Sequence, residues 1–220
     1  MEQHAANLYQ NNDKEEAIAY LAKKLQQDLD HPDWILQLAS YLVDTDQLPD
    51  AEALLLQAKT MFPDLAAIDY NLAVIYFQVG KIDQAQTYLQ QITDPDLLTD
   101  IYYLQAKIAQ QQNKLPQALA YVLTAVDHNP QLVDNYLLAG DLLVQLQDFK
   151  QAQHYYHLAL QLDESAASWF KLALTQLVLA DDRYKTSFAK SKQLDAKYFG
   201  EHQKQLADIE RYLQIHKKEE

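Results

Sequence analysis

The sequence predicts an all-α chain built as a solenoid of tandem helix pairs, and three observations carry that prediction. Small residues recur at Ala17, Ala51, Ala85, Ala118 and Ala152, with gaps of 34, 34, 33 and 34. A second small series, Ala5, Ala39, Ala73, Ala106 and Gly140, keeps the same four gaps and runs 12 residues ahead of the first. The chain has three Gly and six Pro in 220 residues, a scarcity that suits long helices joined by short connections rather than strands and turns.

Larger residues follow the same phase. Leu21, Leu55, Leu89, Val122 and Tyr156 stand four residues after the first series, and Leu48, Ile82, Leu115 and Phe149 three before it. Ala58, Ile92, Ala125 and Ala159 stand seven after it. Spacings of three, four and seven describe one helical face, so each unit holds two amphipathic helices, A and B. A small residue on each lets the two axes approach, and the bulky neighbours fill the groove between them.

The helix breakers fall where this scheme needs them. Pro49 and Pro116 share a position in the first turn of helix B, where a missing N–H costs nothing. Pro63 and Pro130 share a position at its end, and Gly80 sits in a short turn between A and B. Asp13, Asp46 and Asp148 occupy the equivalent turns and are expected to cap helix B.

The 34-residue period, the Ala at the centre of helix B, the small residue in helix A and the terminal Pro resemble the tetratricopeptide repeat family. The pattern is fullest in residues 133–166, with Tyr136, Ala139, Gly140, Leu143, Phe149, Ala152, Tyr156 and Ala159. Residues 32–65 supply Leu38, Ala39, Leu42, Ala51, Ala58 and Pro63, and the family's Trp-x2-Leu-Gly opening returns as Trp169-x2-Leu172-Ala173. The resemblance implies a right-handed superhelix of helix-turn-helix repeats whose A helices line a concave groove. Six repeats are expected in 1–199, at 1–31, 32–65, 66–98, 99–132, 133–166 and 167–199, as one continuous array.

The pattern weakens at both ends. Lys14 and Lys24 take two usually apolar positions of the first repeat. In the sixth, helix A is expected from about Ser168 to Ala180, and Thr186 stands where the small residue of helix B belongs. Its second helix, Arg183 to Leu194, is therefore expected to be distorted or differently packed. Gly200 is expected to separate a capping helix, within 200–220, with an apolar stripe of Leu206, Ile209, Leu213 and Ile215. A docking helix for a partner is the alternative reading of that segment.

Composition narrows the function. A net charge of −13 repels phosphate backbones and argues against nucleic acid. Residues 183–220 carry 9 basic and 6 acidic groups, against 9 and 25 in residues 1–182. Cys is absent, which excludes disulfides and thiolate chemistry. The opening Met-Glu-Gln-His-Ala-Ala-Asn lacks the layout of a secretory signal. The most apolar run, Leu172 to Ala180, is interrupted by Thr175 and Gln176, well short of the ~20 residues a membrane span needs. A cytoplasmic protein with no membrane contact is expected.

No constellation for catalysis, cofactor or metal emerges. His154 and His157 share a helical face, but nothing completes a coordination shell around them. His31 and His128 are read as closing helix-B segments, where an imidazolium suits the dipole. Glu15-Glu16, Asp181-Asp182 and Glu219-Glu220 sit at helix starts or the chain end, not converging on a pocket. The glycines are too dispersed for a phosphate loop.

Binding remains. There are 15 Tyr against 6 Phe. Tyr76, Tyr102 and Tyr136 hold phases that face neighbouring helices, whereas Tyr70 and Tyr103 hold the phase that in this family points into the groove. Exposed Tyr is enriched at recognition surfaces. With them, Leu36, Ser40, Val43, Val74, Phe77, Lys107, Gln110, Leu137, Asp141 and Val144 form the expected groove lining. Family members that capture the acidic carboxyl terminus of heat-shock chaperones use several Lys, Arg and Asn there. Here only Lys107 and Asn71 are available, beside Asp33, Asp100, Asp134 and Asp141, so that subtype is not expected.

The sequence therefore predicts a non-enzymatic adaptor or scaffold. Its partner is expected to be a protein segment or helix, neutral or basic, with apolar anchors. The alternatives are self-assembly through the basic carboxy-terminal region, with a monomer favoured over it, or a helical enzyme with a cryptic site.

Overall fold

The computed structural model describes residues 2–216, with side chains described for 4–209 and for Arg211. Among the described residues the chain is all-α, with thirteen α-helices and one 3₁₀ turn. It divides into two compact units, residues 1–101 and 102–220. The first holds α1 (Glu2–Gln10), α2 (Lys14–Leu25), α3 (Pro32–Asp44), α4 (Leu48–Met61), α5 (Ala66–Gln78) and α6 (Ile82–Gln91). The second holds α7 (Leu98–Gln111) from residue 102 onward, α8 (Leu115–His128), α9 (Val133–Gln145), α10 (Phe149–Leu162), α11 (Ala166–Val178), α12 (Tyr184–Leu194) and α13 (Ala196–His216).

Odd-numbered helices up to α11 are the A helices and their successors the B helices. The two small series lie where each pair closes. In the first unit Ala5, Ala17, Ala39, Ala51, Ala73 and Ala85 are fully buried; in the second Ala106, Ala118, Ala152 and Ala173 are as well. A methyl group, or the bare backbone of Gly140 on α9, lets the helix axes approach to contact, and Leu21, Leu55, Leu89, Val122 and Tyr156 fill the space beside it.

Each A–B turn reverses the chain by the same device. Asn12, Asp46, Gly80, Asn113, Gln147 and Ala180 all take left-handed backbone, with φ between 55° and 76°. The next residue's N–H then reaches back to the last turn of helix A, as in Gln47 N to Leu42 O (2.8 Å) and Asp148 N to Leu143 O (2.9 Å). This closure satisfies carbonyls that the helix end would leave orphaned.

That geometry corrects the expected caps. Asp148 does cap α10, its side chain accepting from Gln151 N at 3.1 Å. Asp46 is itself the left-handed residue, so the cap position before α4 falls to Gln47. Asp13 stands at the start of α2 but makes no side-chain cap bond. Pro49 and Pro116 lie in the first turns of α4 and α8, as their missing N–H requires. His31 does not close a helix: α2 ends at Leu25, and His31 precedes α3, paired with Asp28 and stacked on Trp34.

In the sixth pair the second helix is differently packed rather than distorted. α12 is a regular helix, and its small residue is Ser187 rather than Thr186. The turn from α11 to α12 spans residues 179–183, two longer than that from α9 to α10, so the phase of α12 slips relative to α11. Thr186 is thereby exposed. Ser187 donates to Gln176 Oε1 at 2.7 Å and Ser191 to Ala166 O at 2.8 Å, which satisfies hydroxyls buried at the crossing.

α13 caps the second unit. It starts at Ala196, not after Gly200, because Asp195 Oδ1 accepts from the N–H groups of Lys197 and Tyr198, both at 2.9 Å. Gly200 lies inside the helix. Phe170, Phe188 and Phe199 meet edge to face, with centroids 5.3 to 6.0 Å apart, and Leu206 packs on the same cluster. Ile209, next in the expected stripe, is half-buried, and Leu213 and Ile215 lie outside the described side chains. No helix among the described residues is long and apolar enough to cross a membrane.

Candidate protein-binding surface on the A helices

The helical period separates the A helices into a core face and a second face. On α5, Leu72, Ala73 and Tyr76 are buried, whereas Tyr70, Val74 and Phe77 are half-buried. On α3, Leu38, Ala39 and Leu42 are buried, while Leu36 and Val43 are half-buried and Ser40 is exposed. In the second unit the same division holds. Tyr103, Lys107 and Gln110 on α7 and Leu137, Asp141 and Val144 on α9 are all half-buried. None of the twelve residues expected to line the groove belongs to the buried core.

Half-burial has different causes at different positions. Tyr103 packs against the cluster around Ala106 and Ala139. Burial, with the charges of Asp134 and Asp141 nearby, raises its phenol above the ordinary value. Leu137 and Val144 flank the cluster of Leu143, Ala152, Tyr156 and Leu172.

Asp141 is not a free carboxylate. Its Oδ1 accepts from Tyr156 OH at 2.7 Å, and Lys171 Nζ lies 2.7 and 2.8 Å from its two oxygens. Tyr156 can reach it because α9 carries Gly140 at the crossing; a Cβ there would lie 2.4 Å from the ring. Burial and the Asp141 carboxylate together raise the Tyr156 phenol far above its ordinary range, so it stays a hydrogen-bond donor.

Beside this network the second unit holds a cavity of about 600 Å³. Its walls come from α9, α10, α11 and α13: Val144, Phe149, Leu174, Val178 and Ile209 are apolar, and Asp141, Tyr156 and Lys171 form one polar corner. Asp208 and Gln205 stand on the α13 side. Sequence reasoning found Asp141 and Val144 but not the α11 and α13 walls. Leu174 follows Ala173 as Asp141 follows Gly140, so carrying the phase into the sixth repeat would have found it. The α13 residues belong to no repeat, and no period points to them.

His154 and His157 stand at the surface, where neighbouring side chains strip part of the water from the His157 ring and, with the Arg183 charge, hold its imidazole below the ordinary value. Among the described residues no three His, Cys, Asp or Glu side chains gather as a metal site.

Comparison with known proteins points one way. Two tetratricopeptide repeat models match, one over residues 36–97 and one over 133–165. No curated protein sequence matches the chain. Among solved structures, PilF of Pseudomonas aeruginosa is 20% identical, with 92% of this chain and 95% of that one covered and a TM-score of 0.67. YrrB, described as a repeat protein with an unusual peptide-binding site, is 14% identical over 84% and 97%, with a TM-score of 0.55. MamA of Desulfovibrio magneticus is 16% identical over 74% and 92%, also at 0.55. Identities this low speak to the fold alone. The two model matches, the doubled series of buried small residues and the helix-pair architecture agree: residues 36–97 and 133–165 match tetratricopeptide repeats, and the chain has the helix-pair fold of such repeat proteins.

Proposed function

We propose that this chain is a cytoplasmic, non-enzymatic adaptor that holds a segment of a partner protein against the second face of its A helices. The observation that carries this reading is the division of those helices. One face supplies the core, and the other keeps Val74, Phe77, Leu137 and Val144 only half-covered. Apolar side chains left part-exposed on a helix face are where binding energy concentrates. A net charge of −13 favours a neutral or basic segment with apolar anchors. The matches of residues 36–97 and 133–165 to tetratricopeptide repeats, a repeat used for protein–protein interaction, support the same reading.

The test uses partners captured by the full chain and then purified. Val74→Lys with Leu137→Lys weakens their binding by about tenfold or more, with helical content preserved. Gln57→Lys, on the exposed side of α4, leaves binding unchanged. If the first variant binds as well as wild type, the A-helix face is not the binding surface.

A further inference from the structure

We infer that the cavity walled by α9, α10, α11 and α13 is the anchor pocket for a partner segment that places a Lys or Arg beside apolar side chains. This rests on the A-helix face being the binding surface and names the place and chemistry of its strongest contact. The volume, about 600 Å³, falls within the roughly 300–1,000 Å³ typical of ligand pockets and exceeds what one side chain fills. Val144, Leu174, Val178 and Ile209 offer an inserted aliphatic group apolar contact from three helices, with one side left open to solvent.

The charge in the pocket is unbalanced. It contains two carboxylates, Asp141 and Asp208, and one ammonium, Lys171. Lys171 is committed to Asp141, both of whose oxygens it contacts. Asp208 forms no ion pair among the described residues. A cation arriving with the apolar group meets Asp208 at the α13 side, whereas an anion meets a net negative wall.

The α13 wall is held in place. Asp195 caps its first turn, and Tyr198, Phe199 and Leu206 seat it on Phe170 and Phe188. Gln205, Asp208 and Ile209 lie at i, i+3 and i+4, so one face of α13 is presented to the cavity. In this arrangement the carboxy-terminal helix completes the pocket as well as capping the repeat.

The test is methyl and amide NMR mapping on the full labelled chain. The probe is the capped peptide Gly-Ser-Leu-Lys-Leu-Ser-Gly, with one control carrying Glu for Lys and another carrying Ser for both Leu. The expected result is that shifts concentrate at Val144, Leu174, Val178 and Ile209. The Lys peptide binds about fivefold tighter than the Glu peptide, and the Ser control about tenfold more weakly than the Lys peptide. Asp208→Asn, an exposed change that leaves the core untouched, brings the Lys and Glu peptides within about twofold of each other. Equal affinity of the Lys and Glu peptides for the wild-type chain overturns the charge assignment. Shifts at Val74 or Leu137 without the pocket methyls overturn the pocket and leave the A-helix surface standing. Shifts confined to B-helix residues overturn both, and no shift at millimolar peptide overturns the pocket.

Discussion

The ring of Tyr156 occupies the space that a side chain at position 140 would fill: a Cβ on Gly140 would sit 2.4 Å from Cε1 of the ring. α9 and α10 therefore close only because one residue has no side chain and the other is large, the reverse of the Ala-against-aliphatic pattern elsewhere. In an exposed helix Gly→Ala gains about 1 kcal/mol. Here the collision wins, and Gly140→Ala is expected to destabilise the protein by about 1–3 kcal/mol in urea unfolding. Tyr156→Leu in the same chain recovers part of that loss. Additive effects of the two changes would mean that the ring does not depend on the glycine.

Ionisation supplies a second test. Burial raises the phenols of Tyr156 and Tyr76 above their ordinary value of 10, helped by Asp141 and Glu52 respectively. A folded-state pKa above the unfolded one stabilises the protein fully below pH about 10, and that contribution is lost as pH rises beyond it. Urea stability should therefore fall from pH 9 to 11, and phenolate absorbance should lag behind that of the unfolded chain. Tyr156→Phe should flatten part of the fall. An alkaline stability profile identical in wild type and variant would contradict the account.

Turn chemistry gives a third. Ala180 and Gln147 hold left-handed backbone with φ of 55° and 63°, at the position where Gly80 sits at 76°. A side chain in that region costs roughly 1–2 kcal/mol, partly offset by the entropy of the glycine that replaces it. Ala180→Gly is thus expected to raise stability by about 0.5–1 kcal/mol, and Gly80→Ala to lower it by about 1 kcal/mol although its Cβ meets nothing within 4 Å. Changes of the opposite sign, read in urea unfolding, would contradict the shared turn.

The phase of the sixth repeat gives a fourth. Ala118 is fully buried at its crossing, so Ala118→Leu should cost about 1–3 kcal/mol through overpacking. Ser187→Leu should cost as much or more, since it also strands Gln176 without its partner. Thr186→Leu, at an exposed site, should stay within about 0.5 kcal/mol of wild type. A large loss at Thr186 would restore the unshifted phase.

The helix pairs were legible in the sequence because burial at the crossings demands small side chains, and that demand repeats: Ala17 through Ala152 announce it by spacing alone. The turn closures were not, since Asn12, Asp46, Gly80, Asn113, Gln147 and Ala180 share a backbone angle but no side-chain chemistry. The Thr186 error came from carrying a fixed spacing past a turn that is two residues longer. At the proposed binding surface, helical phase separated Val74 and Leu137 from the core. The partnership of Asp141 with Lys171 joins residues thirty apart on different helices, and no local pattern encodes such a pair. The α13 wall was hidden for a related reason, because an element that occurs once has no period.

The central claim is that partners bind the second face of the A helices. Its most direct test places a photo-reactive amino acid in the full chain at Val74, at Leu137, and at two exposed B-helix positions, Gln57 and Lys150. The account predicts partner adducts on irradiation from Val74 or Leu137 and none from Gln57 or Lys150. Adducts from the B-helix positions, with none from the A-helix ones, would contradict it.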